Sequence, residues 1–393
     1  MTANVTQPPV PIDTVLTQAR DDVNGSHYFG PYALGANLYA VLVDFKTSHV
    51  NVYKSTDAGL TWATLDSANR PTCDNALDVL LQGTMFHIVY LTPAPADVLK
   101  HISFDTTTDT FGVVSADGPG NALVPRIAQF ASGDFCIGYN DTVDVTFTVK
   151  LLIFSGGAWG AATGVPNVQN NITGLIIGPD NVARCLYFNQ HVSPQKVLFR
   201  TFTNGGTLGA ENLIFSSTYI PNATIDTFAM LPVGKSVIWN NSFIVPYYGN
   251  PVGSGKQAGV YVGTPYTAPV WTFILLNTLA VSVNEFDCYA YTFVDGDGNL
   301  RVFWISIDFI GHSASDQLNS MYYATNSGLG FGTPLLFYDS TANPPPVPGG
   351  LLHTIGAALF PNRKFGVITA INEGADCVGF FLRDSVGPKV CLQ

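Results

Sequence analysis

Charged side chains are scarce in this chain of 393 residues, since Asp, Glu, Lys and Arg together account for only 11% of it. Glutamate is the rarest of the four and occurs only at Glu211, Glu285 and Glu373, against 25 aspartates. Glutamate favours helices, whereas Asp, Asn, Gly and Pro favour turns. The imbalance therefore predicts an all-β chain with many turns and very little helix.

The shortage of basic residues and of long apolar runs excludes two classes of partner. Lys and Arg number only 17 and form no cluster, while the net charge is −11, so nucleic acid is not an expected partner. No apolar run approaches 18 residues, so no membrane insertion is expected. The segment Met1 to Pro11 has neither a basic start nor an apolar stretch, so no signal peptide is visible.

The six cysteines form no Cys-x-x-Cys pair, which argues against a zinc ribbon or a thioredoxin-like site. Several lie within apolar strand patterns and are expected to act as small buried hydrophobic residues. The sequence does not decide whether Cys377 and Cys391 form a disulfide.

A unit consisting of a turn and then a run of β-branched and aromatic residues recurs along the chain. Its seven copies, roughly 47 to 65 residues apart, begin at Gly35, Gly83, Gly133, Asp180, Gly234, Gly298 and Asn362. This spacing is typical of a four-stranded propeller blade. The chain is therefore expected to form a ring of similar sheets.

A hairpin signal follows the first copy at Ser55-Thr56-Asp57-Ala58-Gly59-Leu60-Thr61-Trp62. Asp57 can accept hydrogen bonds from backbone N–H groups further along the turn, and Gly59 can adopt a positive φ. Thr61 and Trp62 are residue types that favour the start of a strand. Later copies keep the turn and the aromatic residue, as at Ser155-Gly156-Gly157-Ala158-Trp159 and at Asn326-Ser327-Gly328 before Phe331.

The fixed positions Ser55, Asp57, Gly59, Thr61 and Trp62 resemble the Asp box of the sialidase-like (BNR-repeat) β-propellers, whose pattern is Ser-x-Asp-x-Gly-x-Thr-Trp. The resemblance implies a propeller. Because the box lies away from the active site in that family, the motif implies an architecture and leaves the function open.

The fold class expected is a single all-β domain over residues 1–393, a seven-bladed β-propeller of four-stranded antiparallel blades, with a six-bladed sialidase-like ring as the alternative. Residues 10–19 are expected to supply an outer strand that closes the ring, since closure protects sheet edges. The expected blades span approximately 26–70, 73–120, 121–168, 169–219, 222–278, 282–341 and 350–393.

Asp295, Asp297 and Asn299 form a weak candidate for a calcium site, because alternating oxygen-bearing side chains in a turn can surround this ion. The run lacks the later bidentate Glu, and Asp-Gly is also a strong hairpin signal. A plain hairpin without metal or other cofactor is the favoured interpretation.

The face opposite the Asp box is expected to hold any pocket. Starts of the first strands of the blades offer His27, Tyr28, Asp74, Asp78, Arg126, Asp226, Glu285, Asp287 and His353. Glu285, Asp287, Tyr289 and Tyr291 alternate along one strand, which predicts one shared face. The resemblance implies a tyrosine nucleophile with a glutamate partner, so these four residues and Arg126 are the catalytic candidates.

The sequence departs from the sialidase pattern in its arginines. That family uses three arginines to clamp a substrate carboxylate, and here only Arg20, Arg70 and Arg126 could reach the pocket face. A binding propeller is therefore favoured over a glycoside hydrolase. Its ligand contacts are expected at Tyr247, Tyr248, Asp308, His312 and Glu373.

The partner expected is a glycan or a protein receptor, or other structural proteins of an assembly. Low charge, many turn residues and the absence of a visible signal peptide also suggest a viral or phage surface component, on an extracellular or virion surface. This last inference rests on composition alone.

Overall fold

The computed structural model describes residues 10–11, 28–44, 48–73, 76–93, 97–143, 148–166, 170–189, 195–217, 236–249, 257–276, 285–295, 297–308, 318–339, 351–359, 365–372 and 377–383. These residues contain 29 strands and no helix. The described residues therefore have the all-β structure that the shortage of glutamate and the many turn residues predict.

The strands of the described residues form seven antiparallel sheets. The first three sheets contain β2 (Tyr28–Leu34), β3 (Asn37–Asp44), β4 (His49–Ser55) and β5 (Ala63–Leu65); β6 (Leu77–Gln82), β7 (Met85–Leu91), β8 (Leu99–Asp105) and β9 (Thr110–Phe111); and β10 (Ala122–Gln129), β11 (Phe135–Asp141), β12 (Thr148–Ser155), β13 (Ala158–Trp159) and β14 (Thr163–Gly164). The fourth and fifth contain β15 (Asn170–Ile177), β16 (Ala183–Asn189), β17 (Gln195–Phe202) and β18 (Leu208–Ser217); and β19 (Val237–Trp239), β20 (Ser242–Gly249), β21 (Gln257–Thr264) and β22 (Val270–Leu275). The last two contain β23 (Glu285–Val294), β24 (Leu300–Asp308), β25 (Leu318–Asn326) and β26 (Leu335–Asp339); and β27 (Leu351–Leu359), β28 (Phe365–Asn372), β29 (Cys377–Arg383) and β1 (Val10–Pro11).

The sheets are blades of a propeller, because the first strands of neighbouring sheets pack against one another. Strand β6 contacts β10, β10 contacts β15, β23 contacts β27, and β27 contacts β2, so the last sheet meets the first. These first strands therefore surround the centre of the ring. Buried apolar clusters lie between consecutive sheets from the first to the sixth, so the core consists of the interfaces between blades.

The predicted fold class needs correction in its details. The blades are not uniformly four-stranded, because in the third sheet both β13 and β14 pair with β12, which makes five strands. The outer strands also vary from two residues in β9 to ten in β18. The predicted closing strand over 10–19 is observed only at Val10–Pro11, which pairs with Phe381 and Phe380, and residues 12–19 lie outside the described ranges.

Most of the inner strands share one irregularity. The pairing of the first strand with the second shifts register in β2, β10, β15, β23 and β27. The first paired residues after these shifts are Tyr32, Arg126, Gly174, Tyr291 and Ile355. A bulge bends a strand and changes the direction of the side chains that follow. These five residues therefore occupy equivalent positions around the ring.

The Asp box forms the turn between β4 and β5, the third and fourth strands of its blade. Asp57 accepts hydrogen bonds from the Thr61 N–H at 2.9 Å, the Thr61 hydroxyl at 2.6 Å and the Ser55 hydroxyl at 2.8 Å. Ser55 is buried and accepts the Gly59 N–H at 2.8 Å, while Gly59 has a φ of 88°. Burial alone would raise the pKa of Asp57, but these hydrogen bonds, those from Thr61 foremost, lower it to about 2.

The sixth blade repeats this turn with a different acceptor. Asn326 Oδ1 accepts the Gly328 N–H at 2.9 Å and the Gly330 N–H at 3.2 Å. Ser55 Oγ makes the same two contacts with the amides two and four residues further on. An amide oxygen can therefore replace the serine hydroxyl, which explains how the hairpin persists where the motif is lost.

We expect Asp57→Ala to lower the free energy of unfolding by about 1–2 kcal/mol, because the N–H and hydroxyl of Thr61 lose their acceptor. Chemical denaturation measured by circular dichroism gives this value. Asp57→Asn, which keeps one acceptor oxygen, should lose less. An unchanged unfolding free energy in the alanine variant would contradict the structural role of the box.

Candidate functional site

Four side chains from the inner strands define the candidate site, here called the axial cluster: Tyr32 on β2, Asp78 on β6, Arg126 on β10 and Tyr291 on β23. Their charges interact across the ring. The Asp78 carboxylate raises the pKa values of Tyr32 and Tyr291 and opposes the lowering of the Arg126 pKa, and Tyr291 also raises the pKa of Tyr32. Residues from four different blades are thus brought together. Tyr32, Arg126 and Tyr291 occupy the equivalent positions that follow the inner-strand bulges.

The carboxylate of Asp78 is fixed by backbone amides. Its Oδ1 accepts the Val79 N–H at 2.9 Å, and its Oδ2 accepts the Ile127 N–H of the next blade at 2.8 Å. Hydrogen bonds of this kind favour the ionised carboxylate. The hydrogen bond from Ile127 therefore links the second blade to the third, and the carboxylate of Asp78 places a fixed negative charge beside Arg126.

Arg126 follows an irregular segment of backbone. Val124 has a φ of 51°, which is a strained value for a β-branched residue, and it lies within the bulge of β10. The Arg126 Nη1 donates to the Pro125 carbonyl at 2.9 Å. Among the described residues, no carboxylate lies within ion-pair distance of the Arg126 guanidinium. The bulge thus presents an arginine whose remaining N–H donors are available to a ligand.

Burial changes the protonation of the cluster. It lowers the pKa of Arg126, although the Asp78 charge acts in the opposite direction, and an arginine remains a cation at any physiological pH. Burial and the neighbouring Tyr291 and Asp78 hold the pKa of Tyr32 well above its usual value. Burial and Asp78 also raise the pKa of Tyr291. The cluster therefore presents two neutral phenols, one cation and one anion.

The electrostatics of the described cluster oppose a nucleophilic role for Tyr291 and allow contacts with a ligand. A tyrosine nucleophile needs an accessible phenolate, and burial beside Asp78 opposes ionisation of Tyr291. A general acid needs a carboxyl group that gains and loses a proton, whereas Asp78 accepts two backbone N–H groups. Aromatic rings and a guanidinium can contact an apolar face and polar groups of one ligand together.

The predicted catalytic set is only partly brought together. Glu285, Asp287 and Tyr289 lie on β23, and the side chains of these three are outside the described part of the structure. The expected alternation of the four residues is wrong, because the register of β23 shifts between Cys288 and Tyr291. Tyr291 is therefore out of phase with Glu285 and Asp287. Tyr291 and Arg126 do share the axial cluster.

The predicted ligand contact at Tyr247 is wrong, because Tyr247 lies on β20 and is buried between the fourth and fifth blades. It packs edge-on against Phe215 and Phe273, with ring centroids 5.5 and 5.8 Å away. Tyr248 and Asp308 lie on strands, and their side chains are not among those described. His312 and Glu373 lie outside the described residues.

The calcium candidate is a hairpin turn between β23 and β24. Asp295 Oδ1 accepts the N–H groups of Asp297 at 3.0 Å and Asn299 at 2.9 Å, and Asp295 Oδ2 accepts Arg301 Nε at 2.6 Å. Burial raises the pKa of Asp295, but the Asn299 N–H and Arg301 outweigh it, and the net effect is a lowered pKa. The carboxylate oxygens of Asp295 therefore accept hydrogen bonds within the turn and form an ion pair with Arg301.

No group of three or more His, Cys, Asp or Glu side chains in the described residues is arranged to hold a metal ion. Nor does this part of the chain include a helix with the length and hydropathy that a bilayer span requires. Cys73, Cys136 and Cys185 are buried in this part of the chain, as expected of small hydrophobic residues.

Tyr32 was not among the site residues predicted from the sequence. Asp78 was among them but was not distinguished from the other residues at the starts of the first strands. Tyr32 follows Gly30-Pro31, and a Gly-Pro pair inside a strand pattern is a signal for a bulge. Arg70, another expected arginine, donates to Asn51 at 2.9 Å within the first blade, and Arg20 lies outside the described residues. Of the two described arginines in this set, Arg126 lies in the axial cluster and Arg70 does not.

Comparison with solved structures gives several similar proteins of low sequence identity. An ulvan lyase of a polysaccharide lyase family, bound to -[GlcA(1-4)Rha3S]-, has a TM-score of 0.53 at 10% identity over 98% of this chain and 96% of that chain. A streptogramin B lyase has a TM-score of 0.52 at 11% identity over 95% of this chain and 97% of that chain. A sialidase of Trypanosoma rangeli has a TM-score of 0.44 at 12% identity over 96% of this chain and 58% of that chain.

No protein-family model matches the chain, and the search of curated proteins gave no match. At these identities the likeness to the two lyases shows a common propeller fold, which agrees with the architecture that the Asp box implies.

Proposed function

We propose that this chain is a non-catalytic carbohydrate-binding propeller that holds a saccharide at the axial cluster. The observation that carries the proposal is the convergence of Tyr32, Tyr291, Arg126 and Asp78 from four inner strands. Tyrosine rings stack on the apolar face of a sugar ring, and their hydroxyls, together with an arginine and a carboxylate, exchange hydrogen bonds with sugar hydroxyls.

Two further observations support this assignment. The charges of Asp78 and Arg126 are opposite, so a neutral ligand meets no excess charge in the cluster. Two proteins of similar fold are polysaccharide lyases, and one of them is bound to a saccharide. Carbohydrate is therefore the ligand class that we propose, and a protein receptor, an assembly role and an extracellular or virion surface stay predictions of the sequence.

The test uses the full chain on a glycan array, followed by calorimetric titration of the glycan that binds best. Arg126→Met keeps the length of the side chain but removes the N–H donors, and we expect at least tenfold weaker binding, equal to about 1.4 kcal/mol. Tyr291→Phe, which loses only the hydroxyl, should weaken binding by a factor of about five to ten.

Arg70→Met is the matched control, because Arg70 donates to Asn51 and lies outside the axial cluster. It should bind the glycan as the unmodified chain does. Equal affinities of the Arg126 and Arg70 variants would contradict the proposed site. Release of sugar fragments during the titration would contradict the proposal that the protein is non-catalytic and would favour the glycoside hydrolase alternative.

A further inference from the structure

The fifth blade differs from the rest of the chain in its charge. Between Ser236 and Asn284 the sequence contains one charged residue, Lys256, whereas the whole chain carries a net charge of −11. The described residues of this blade, 236–249 and 257–276, contain none. Two copies of an acidic chain repel each other over most of their surface. At the fifth blade this repulsion is weakest.

The outer strand of the same blade is a regular and apolar sheet edge. Strand β22 has the sequence Val-Trp-Thr-Phe-Ile-Leu and pairs with β21 over six consecutive residues without a register shift. The Val270 side chain is 74% exposed and that of Leu275 is 39% exposed. An edge strand that is uncharged, regular and without proline is a template for pairing with another strand.

The phase of the ladder identifies the backbone groups on the open side. Leu276 N–H donates to the Ala258 carbonyl at 3.0 Å, so alternate residues back along β22 face β21. Trp271, Phe273 and Leu275 therefore direct their N–H and C=O groups away from the blade. Among the described residues, no hydrogen bond outside the β21 ladder engages these groups.

Outer strands of the other blades are protected in ways that β22 is not. Strand β18 carries the charged Glu211 and has two register shifts, and β26 has one shift and ends at Asp339. Strands β1, β9, β13 and β14 contain two residues each, and β5 contains three. Charges, irregular register and short length all reduce edge-to-edge pairing. The open edge of β22 is therefore distinctive among the described outer strands.

We propose that β22 is an interaction surface for a second copy of this chain, with the two β22 strands pairing antiparallel across a two-fold axis. The two four-stranded blades would then form one continuous sheet of eight strands. The occupant is a second copy because antiparallel pairing makes the edge complementary to itself and because no like charges meet there. Since the pairing occupies the edge of both copies, the assembly closes as a dimer.

Sedimentation velocity of the full chain over a range of concentrations tests this proposal. We expect a reversible monomer–dimer equilibrium, and we expect Val270→Lys to raise the dissociation constant at least tenfold by placing a charge on each edge. Val113→Lys is the matched control, because Val113 is 91% exposed but lies outside the outer strands. It should leave the equilibrium unchanged.

Thr272→Lys provides a second variant at an exposed position of β22 and should have the same effect as Val270→Lys. Thermal melting followed by circular dichroism checks that each variant remains folded. A chain that stays monomeric at all concentrations would overturn the proposal, as would open-ended aggregation. A dimer equally stable in folded Val270→Lys and Thr272→Lys variants would also overturn it.

Discussion

Replacing Asp180 with Ala is expected to lower the free energy of unfolding by about 3 kcal/mol, because it leaves a buried guanidinium without its counter-ion. Arg184 is only 1% exposed. Its two terminal nitrogens donate to the two carboxylate oxygens of Asp180 at 3.1 and 2.8 Å. The ring of Tyr266 from the next blade lies 4.9 Å from the guanidinium carbon. Without Asp180, the one remaining hydrogen bond of Arg184 among these contacts is to the Val182 carbonyl.

Denaturant unfolding followed by tryptophan fluorescence measures the loss. The double variant Asp180→Ala with Arg184→Met should recover at least half of it, since an apolar side chain of similar length needs no counter-ion. Asp117→Ala is the control, because Asp117 is paired with Lys100 but its side chain is 76% exposed. A surface pair of this kind contributes less than about 1 kcal/mol. Equal losses in the two single variants would contradict the importance of the buried pair.

The second large effect is a loss of stability in mild acid. His87 and His101 stack between the second and third blades, with Nδ1 of His87 3.3 Å from Nε2 of His101. Phe135 and Phe154 lie against the His101 ring, with centroids 5.6 and 4.7 Å away. Burial, and then the neighbouring His87, lower the pKa of His101 from 6.5 to about 4. Burial also lowers the pKa of His87.

The sign of the effect follows from proton uptake. Between pH 6.5 and about 4 the unfolded chain binds a proton at His101 that the folded chain excludes, so the free energy of unfolding falls as the pH falls. A shift from 6.5 to about 4 corresponds to a loss of at most about 3 kcal/mol. Above about pH 5 aspartates are ionised in both states and contribute little to the slope, whereas between about pH 5 and 4 aspartates with a lowered pKa, such as Asp57, add to it.

Unfolding measured at intervals from pH 8 to pH 4 gives the slope directly. His101→Phe should flatten it, because an aromatic ring fits beside Phe135 and Phe154 and takes up no proton. His87 stays in that variant, so a smaller slope should remain. A variant that loses stability as steeply as the original chain would contradict the assignment to His101.

The sequence predicted an all-β propeller because the signals for its turns and strands were local. The Asp box needs only Ser55, Asp57, Gly59 and Thr61, which contact one another within seven residues. A turn followed by a run of strand-forming residues recurs once in every blade. Even the copies that match poorly therefore support the prediction of a propeller. The fifth strand of the third sheet escaped prediction because β13 and β14 contain two residues each, too few to show a period.

The site was harder to predict because it depends on bulges and on contacts between distant blades. Counting alternate residues placed Tyr291 with Glu285, whereas the register shift after Cys288 breaks that count. Asp78 could not be distinguished from other aspartates, since its role depends on the Ile127 amide, 49 residues further along the chain. Tyr247 was predicted as a ligand contact, but it lies on the apolar strand β20 and its side chain is buried in the core.

The pairing of Val10 with Phe381 has a consequence for the order of events during synthesis. Phe381 emerges from the ribosome roughly 370 residues after Val10, which at bacterial or eukaryotic rates is a delay of about 20 to 70 seconds. For that whole period the strand formed by Val10 and Pro11 has no partner, while the earlier blades can already fold. The last sheet can therefore gain this strand only after Phe381 has been made, so Val10 and Pro11 pair long after their own synthesis.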